Sequence, residues 1–245
     1  MVGILEPSNV INRLYDSKRF EEMYDYCQVL LKKNPADILA LQNMALTCLH
    51  LEEFDKALLY CDEVLKTNAD DVYALHNKIH ALENLRRYDA TIHCCNKLLR
   101  VDASDTWALN SAGLASAELD RYEDAISYFK RVLQQDPHNV TALLNMALIY
   151  ERRGLLKESI HWYNEALTVD PSLTEAVTAR TGAYDSLGLN DESFLAAQGL
   201  LDDDISRIIS DAKSNGCTVF HQLCLDDMRR LGKKNPHENN PFKKD

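Results

Sequence analysis

Residues 106–139 read TWALNSAGLASAELDRYEDAISYFKRVLQQDPHN, and the same layout returns every 34 residues in both directions along the chain. Its clearest mark is a leucine: Leu31, Leu65, Leu99, Leu133, Leu167 and Leu201 are each 34 residues from the next, with no insertion or deletion between them. A chain built this way is a repeat array, so its function is sought on a surface that several repeats share rather than in an enclosed pocket.

Other columns keep the step and divide each repeat into two helices. Phe20, Phe54, Tyr88, Tyr122 and Leu156 form one, and Tyr24, Leu58, Ile92, Ile126, Ile160 and Phe194 form another four residues further on, so both lie on one helix face. Small residues recur at Ala57, Thr91, Ala125, Ser159 and Ser193, where a neighbouring helix approaches. Asp37, Asp71, Asp105 and Asn139 stand where a side-chain oxygen accepts from a free amide of the following helix. Pro35, Pro137 and Pro171 fall just past the preceding helix, as residues without an amide donor should.

The segments Asn43-Met44-Ala45, Phe54-Asp55-Lys56-Ala57, Asn110-Ser111-Ala112-Gly113, Tyr122-Glu123-Asp124-Ala125 and Asp136-Pro137, with the period, resemble the tetratricopeptide repeat. The resemblance implies an all-α, right-handed superhelical solenoid of antiparallel helix pairs. Six repeats are expected over residues 4–205 (4–37, 38–71, 72–105, 106–139, 140–173 and 174–205). Residues 206–232 carry two further apolar stripes, expected to be helices that cap the last seam, and residues 233–245 read as a disordered basic tail. The first helix should begin at Pro7 or Ser8 and be short, and a helix break is expected at Asp202-Asp203-Asp204.

Composition narrows the function. A net charge of −11 argues against nucleic acid, whose phosphates call for concentrated lysine and arginine. No apolar run reaches the roughly 20 residues of a membrane span, and the N-terminus lacks the layout of a secretion signal, so a cytoplasmic protein is expected. Cys27, Cys61 and Cys95 share one repeat column with Phe129 and Tyr163, which reads as small buried hydrophobes in a reducing compartment. No catalytic constellation is present and no cofactor is implied: a phosphate loop and a serine elbow are both missing. His76, His80 and Glu83 share a helix face with ligand-like spacing, but they read as polar groove lining more readily than as a metal site.

In the family the first helix of each pair lines a concave groove that receives partner peptides. Carried onto this chain, the resemblance implies an asparagine column at Asn9, Asn43, Asn77 and Asn145, interrupted by Ser111, whose amides both donate to and accept from a peptide backbone. Between them the family phase turns Leu46, Leu49, Tyr73, His76, His80, Trp107, Asn110, Leu114, Leu144 and Leu148 toward the groove, with Tyr73 and Trp107 alternatively packed on a neighbouring repeat. Cochaperones of the family clamp a terminal carboxylate with lysine, asparagine and arginine. Here the matching helices offer Ser8, Asn12, Asn43, Tyr73 and Asn77, so the cations of that clamp are missing. The expected role is a non-catalytic adaptor that binds an extended peptide or short helix. A self-assembling scaffold, through the exposed seam or the oppositely charged ends, is the alternative, and a cochaperone-like role is a weaker one.

Overall fold

The computed structural model describes residues 6–230, so the expected tail at 233–245 lies outside the described residues. All regular structure among them is helical. The chain divides into two compact units, one ending at Pro137 and the other beginning at His138.

The first unit contains α1 (Pro7–Asp16), α2 (Phe20–Lys33), α3 (Ile38–His50), α4 (Phe54–Thr67), α5 (Val72–Asn84), α6 (Tyr88–Val101), α7 (Thr106–Glu118) and α8 (Tyr122–Gln135). Each helix packs on the next, and α5 also packs on both α3 and α7, which sets the first helices of successive pairs side by side. The second unit contains α9 (Val140–Arg152), α10 (Leu156–Val169), α11 (Thr174–Ser186), α12 (Asn190–Ala197), α13 (Asp202–Asn215) and α14 (Val219–Arg230), again packed in chain order.

The cap column acts as its composition requires. Asp37, Asp71, Asp105 and Asn139 accept from the amides of Ala40, Ala74, Ala108 and Ala142 at 3.0, 2.9, 2.7 and 3.0 Å. The turn inside each pair has a regularity of its own. Lys18, Glu52, Arg86, Asp120, Gly154 and Gly188 all have φ between 52° and 72°, and they too are 34 residues apart. Only the last two are glycine, the residue that enters this region without steric cost.

The leucine column is only partly buried. Cys27, Cys61, Cys95 and Phe129 are fully buried and Tyr163 nearly so, whereas Leu31, Leu65 and Leu133 are half-buried. Phe129 fits because its counterpart across the pair is Gly113: a Cβ there would lie 2.6 Å from the ring. Burial pushes the thiols of Cys27 and Cys61 up to about 12, so they behave as apolar groups.

Leu201 departs from its column. It lies outside any helix, because α12 stops at Ala197, Gly199 turns with φ +78°, and α13 starts at Asp202. The break falls just before the three aspartates, which occupy the first turn of α13 and supply no side-chain cap. Arg180, fully buried, stabilises the break by donating to the carbonyls of Leu200 at 2.7 Å and Ala196 at 3.4 Å and to Asn164 Oδ1 at 2.5 Å. The Leu200 carbonyl belongs to the segment between α12 and α13, and the Ala196 carbonyl, at the end of α12, also accepts from the Gly199 amide at 2.9 Å.

Candidate functional site

In the first unit α1, α3 and α5 present one open recess of about 550 Å³, lined by Asn12, Leu39, Gln42, Asn43, Leu46, Tyr73 and Asn77. Every lining residue is uncharged at neutral pH. The charge of this unit lies mainly on the second helix of each pair: α3 carries no Asp, Glu, Lys or Arg, and α5 carries only Lys78 and Glu83.

Hydrogen bonding divides the amides of the recess into committed and free. Gln42 Nε2 donates to both carboxylate oxygens of Asp71 at 3.0 Å, and Asn43 Nδ2 donates to the Leu39 carbonyl at 2.7 Å. Both partners are acceptors only, so the amide nitrogens must face them and the oxygens are left over. Asn12 and Asn77 have no side-chain hydrogen bond among the described residues. Tyr73 is 75% exposed, so it stands over the recess instead of packing on a neighbouring repeat.

The remaining expected residues of this unit are placed differently. Asn9 is exposed in the first turn of the short α1, and Asn12, one turn further on, lines the recess. His76 Nε2 lies 2.8 Å from Asp105 Oδ2, and its ring stacks on Trp107 with centroids 4.9 Å apart, so Trp107 packs on the preceding repeat while remaining 38% exposed. His80 is exposed. Glu83 bonds Ser111, and its burial raises its carboxyl above the ordinary glutamate value, with that bond opposing the shift. Among the described residues no three metal-ligating side chains converge. Ser111 is buried, as is Leu49, which belongs to the core and not to the groove. Leu114 is exposed, and the buried Oδ1 of Asn110 has no partner.

In the second unit, the half-buried Leu144 packs against the cluster of Ala147, Tyr163, Leu167 and Ala176. Leu148 is 40% exposed, and the buried Nδ2 of Asn145 has no hydrogen-bond partner.

Leu39, Gln42 and Asn12 were missed as groove residues, yet all three were readable. Leu39, Tyr73 and Trp107 form one 34-residue column, and Gln42, His76 and Asn110 form another. Asn12 heads a third, that of Leu46, His80, Leu114 and Leu148.

A stack of helix pairs whose adjoining first helices expose an open recess defines the class of helical-repeat scaffold. The family model described as tetratricopeptide repeat matches residues 76–139 and again 110–173, so the chain contains tetratricopeptide repeats. No curated protein sequence matches it. Solved structures share the fold at low identity. A tetratricopeptide repeat protein from Parabacteroides merdae ATCC 43184 is 17% identical, with a TM-score of 0.69 over 95% of this chain and 93% of that one. YrrB, described as a TPR protein with an unusual peptide-binding site, is 17% identical, with a TM-score of 0.64 over 70% and 89%. PilW, a type IV pilus biogenesis factor, is 19% identical, with a TM-score of 0.65 over 78% and 90%. No helix among the described residues is long and apolar enough to cross a membrane.

Proposed function

We propose that this protein is a non-catalytic adaptor that holds a partner protein by an extended peptide or short helix, anchored in the recess formed by α1, α3 and α5. One observation carries the reading: three successive first helices bring two leucines, an exposed tyrosine and four side-chain amides around a single open volume of about 550 Å³. Apolar anchors supply binding energy, and amides match a peptide backbone. The peptide-binding site named for YrrB, on a similar fold, supports the assignment. Seven free cysteines suit a reducing, cytoplasmic setting.

The test is a pull-down from native lysate with wild type and with the triple variant Asn12→Ala, Tyr73→Ala and Asn77→Ala. The altered side chains make no hydrogen bond among the described residues, so the variant should melt at the wild-type temperature. A partner held by wild type and lost by the variant supports the reading, whereas identical captures overturn it.

Self-assembly is favoured by one observation in the second unit. Phe220 is 65% exposed and Phe194 39% exposed, with ring centroids 6.3 Å apart. Sedimentation across a concentration series separates the readings, because an adaptor acting alone stays monomeric, and Phe220→Ser should dissolve any dimer made through this surface.

A further inference from the structure

The recess is defined as much by what its polar atoms are already doing as by its size. Gln42 and Asn43 each engage the amide nitrogen, with the Asp71 carboxylate and with the Leu39 carbonyl, so both amides are fixed in orientation and leave their oxygens to accept from a ligand. Free donors remain on Asn12 and Asn77 and on the Tyr73 hydroxyl, all of them neutral. Among the described residues no lysine or arginine lines the recess. The carboxylate of Asp71 lies immediately behind Gln42, in a chain whose net charge is −11.

A carboxylate entering this volume would lose water, meet the Gln42 and Asn43 oxygens, and find no cation. Removing an anion from water is costly unless an opposite charge or a full set of donors replaces the lost hydration. Backbone N–H groups are suited to the same oxygens, and an uncharged side chain is suited to the apolar wall of Leu39, Leu46 and Tyr73.

We propose, building on the peptide-binding reading above, that the recess selects an internal, uncharged peptide segment carrying an apolar side chain, and rejects segments with Asp, Glu or a free terminal carboxylate at the contact. The oriented oxygens of Gln42 and Asn43, the Asp71 carboxylate behind them and a lining without a cation act as a repulsive filter, and selectivity comes from that rejection together with the leucine contacts. Because no ion pair forms, affinity is nearly independent of salt.

The probe is a display library of random 12-residue peptides, selected in parallel on the full-length wild type and on the folded Asn12→Ala, Tyr73→Ala, Asn77→Ala variant. Peptides retained by wild type alone should be depleted in Asp and Glu relative to the unselected library. A synthetic Gln-to-Glu pair at the contact position should then differ by about tenfold or more in Kd, and raising salt from roughly 50 to 500 mM should change Kd by less than about twofold. Wild-type-specific peptides with undiminished acidic content, or binding that collapses in salt, would overturn the filter and leave peptide binding intact. If no peptide distinguishes the two proteins, peptide binding in the recess itself fails, and the filter with it.

Discussion

His76 and Asp105 meet at 2.8 Å, and Asp105 simultaneously accepts from the Ala108 amide at 2.7 Å. One carboxylate thereby caps α7 and holds the first helix of the preceding repeat, and Gln42 with Asp71 does the same one repeat earlier. Helix initiation and repeat stacking are therefore coupled through single residues.

This double use sets the first prediction. Asp105→Ala removes a cap worth about 0.5–2 kcal/mol and a cross-repeat bond worth about 0.5–1.5 kcal/mol, so a combined loss of about 1–3.5 kcal/mol is expected in urea unfolding. Asp105→Asn keeps an accepting oxygen and should lose clearly less. Equal midpoints for the two variants would show that the cap contributes nothing.

Gly113 should resist alanine despite lying inside α7. Alanine gains about 1 kcal/mol in helix propensity over glycine, but the added Cβ would lie 2.6 and 2.7 Å from Phe129 ring atoms in a fully buried site. Overpacking of this kind costs about 1–3 kcal/mol, so Gly113→Ala should lower Tm, and adding Phe129→Leu should recover part of the loss. A raised Tm for Gly113→Ala alone would contradict the packing.

The left-handed column offers paired substitutions. Gly154→Ala should cost about 1–2 kcal/mol, because its φ of +72° forces the new side chain into steric conflict. Glu52 already bears that conflict at φ +59°, so Glu52→Gly should be neutral or stabilising by up to about 1 kcal/mol. Thermal melts decide it; a clear loss for Glu52→Gly would indicate that its side chain is needed.

Acid should weaken the first unit through His50. Its ring stacks on Phe20 with centroids 4.2 Å apart, and burial, then the charge of His80, lower its pKa below the ordinary 6.5. The unfolded chain therefore binds the proton at higher pH than the folded one. The contribution is fully present above 6.5 and is lost as pH falls through the lower, folded value. His50→Gln should flatten the dependence of the urea midpoint on pH between about 7.5 and 5. An unchanged slope would remove His50 from the account.

Much of the architecture was legible because it is local. The 34-residue period, the Asp37, Asp71, Asp105 and Asn139 caps and the early start of α1 at Pro7 each depend on residues within a turn or two of one another. The site was legible in part: repeat phase brought Asn43, Leu46, Tyr73 and Asn77 to one recess, but periodicity misplaced Leu49, which the core absorbs. Sequence alone thus determined the helices, their period and the face that carries the amides, since each follows from short-range pattern. Only tertiary structure decided the end of α12, where the buried Arg180 reaches carbonyls up to 20 residues away, and the state of the recess, where Asp71 takes the donors of Gln42 across 29 residues. Such bonds depend on which side chains meet in space, and a repeating column is silent about that whenever its residues differ from one repeat to the next.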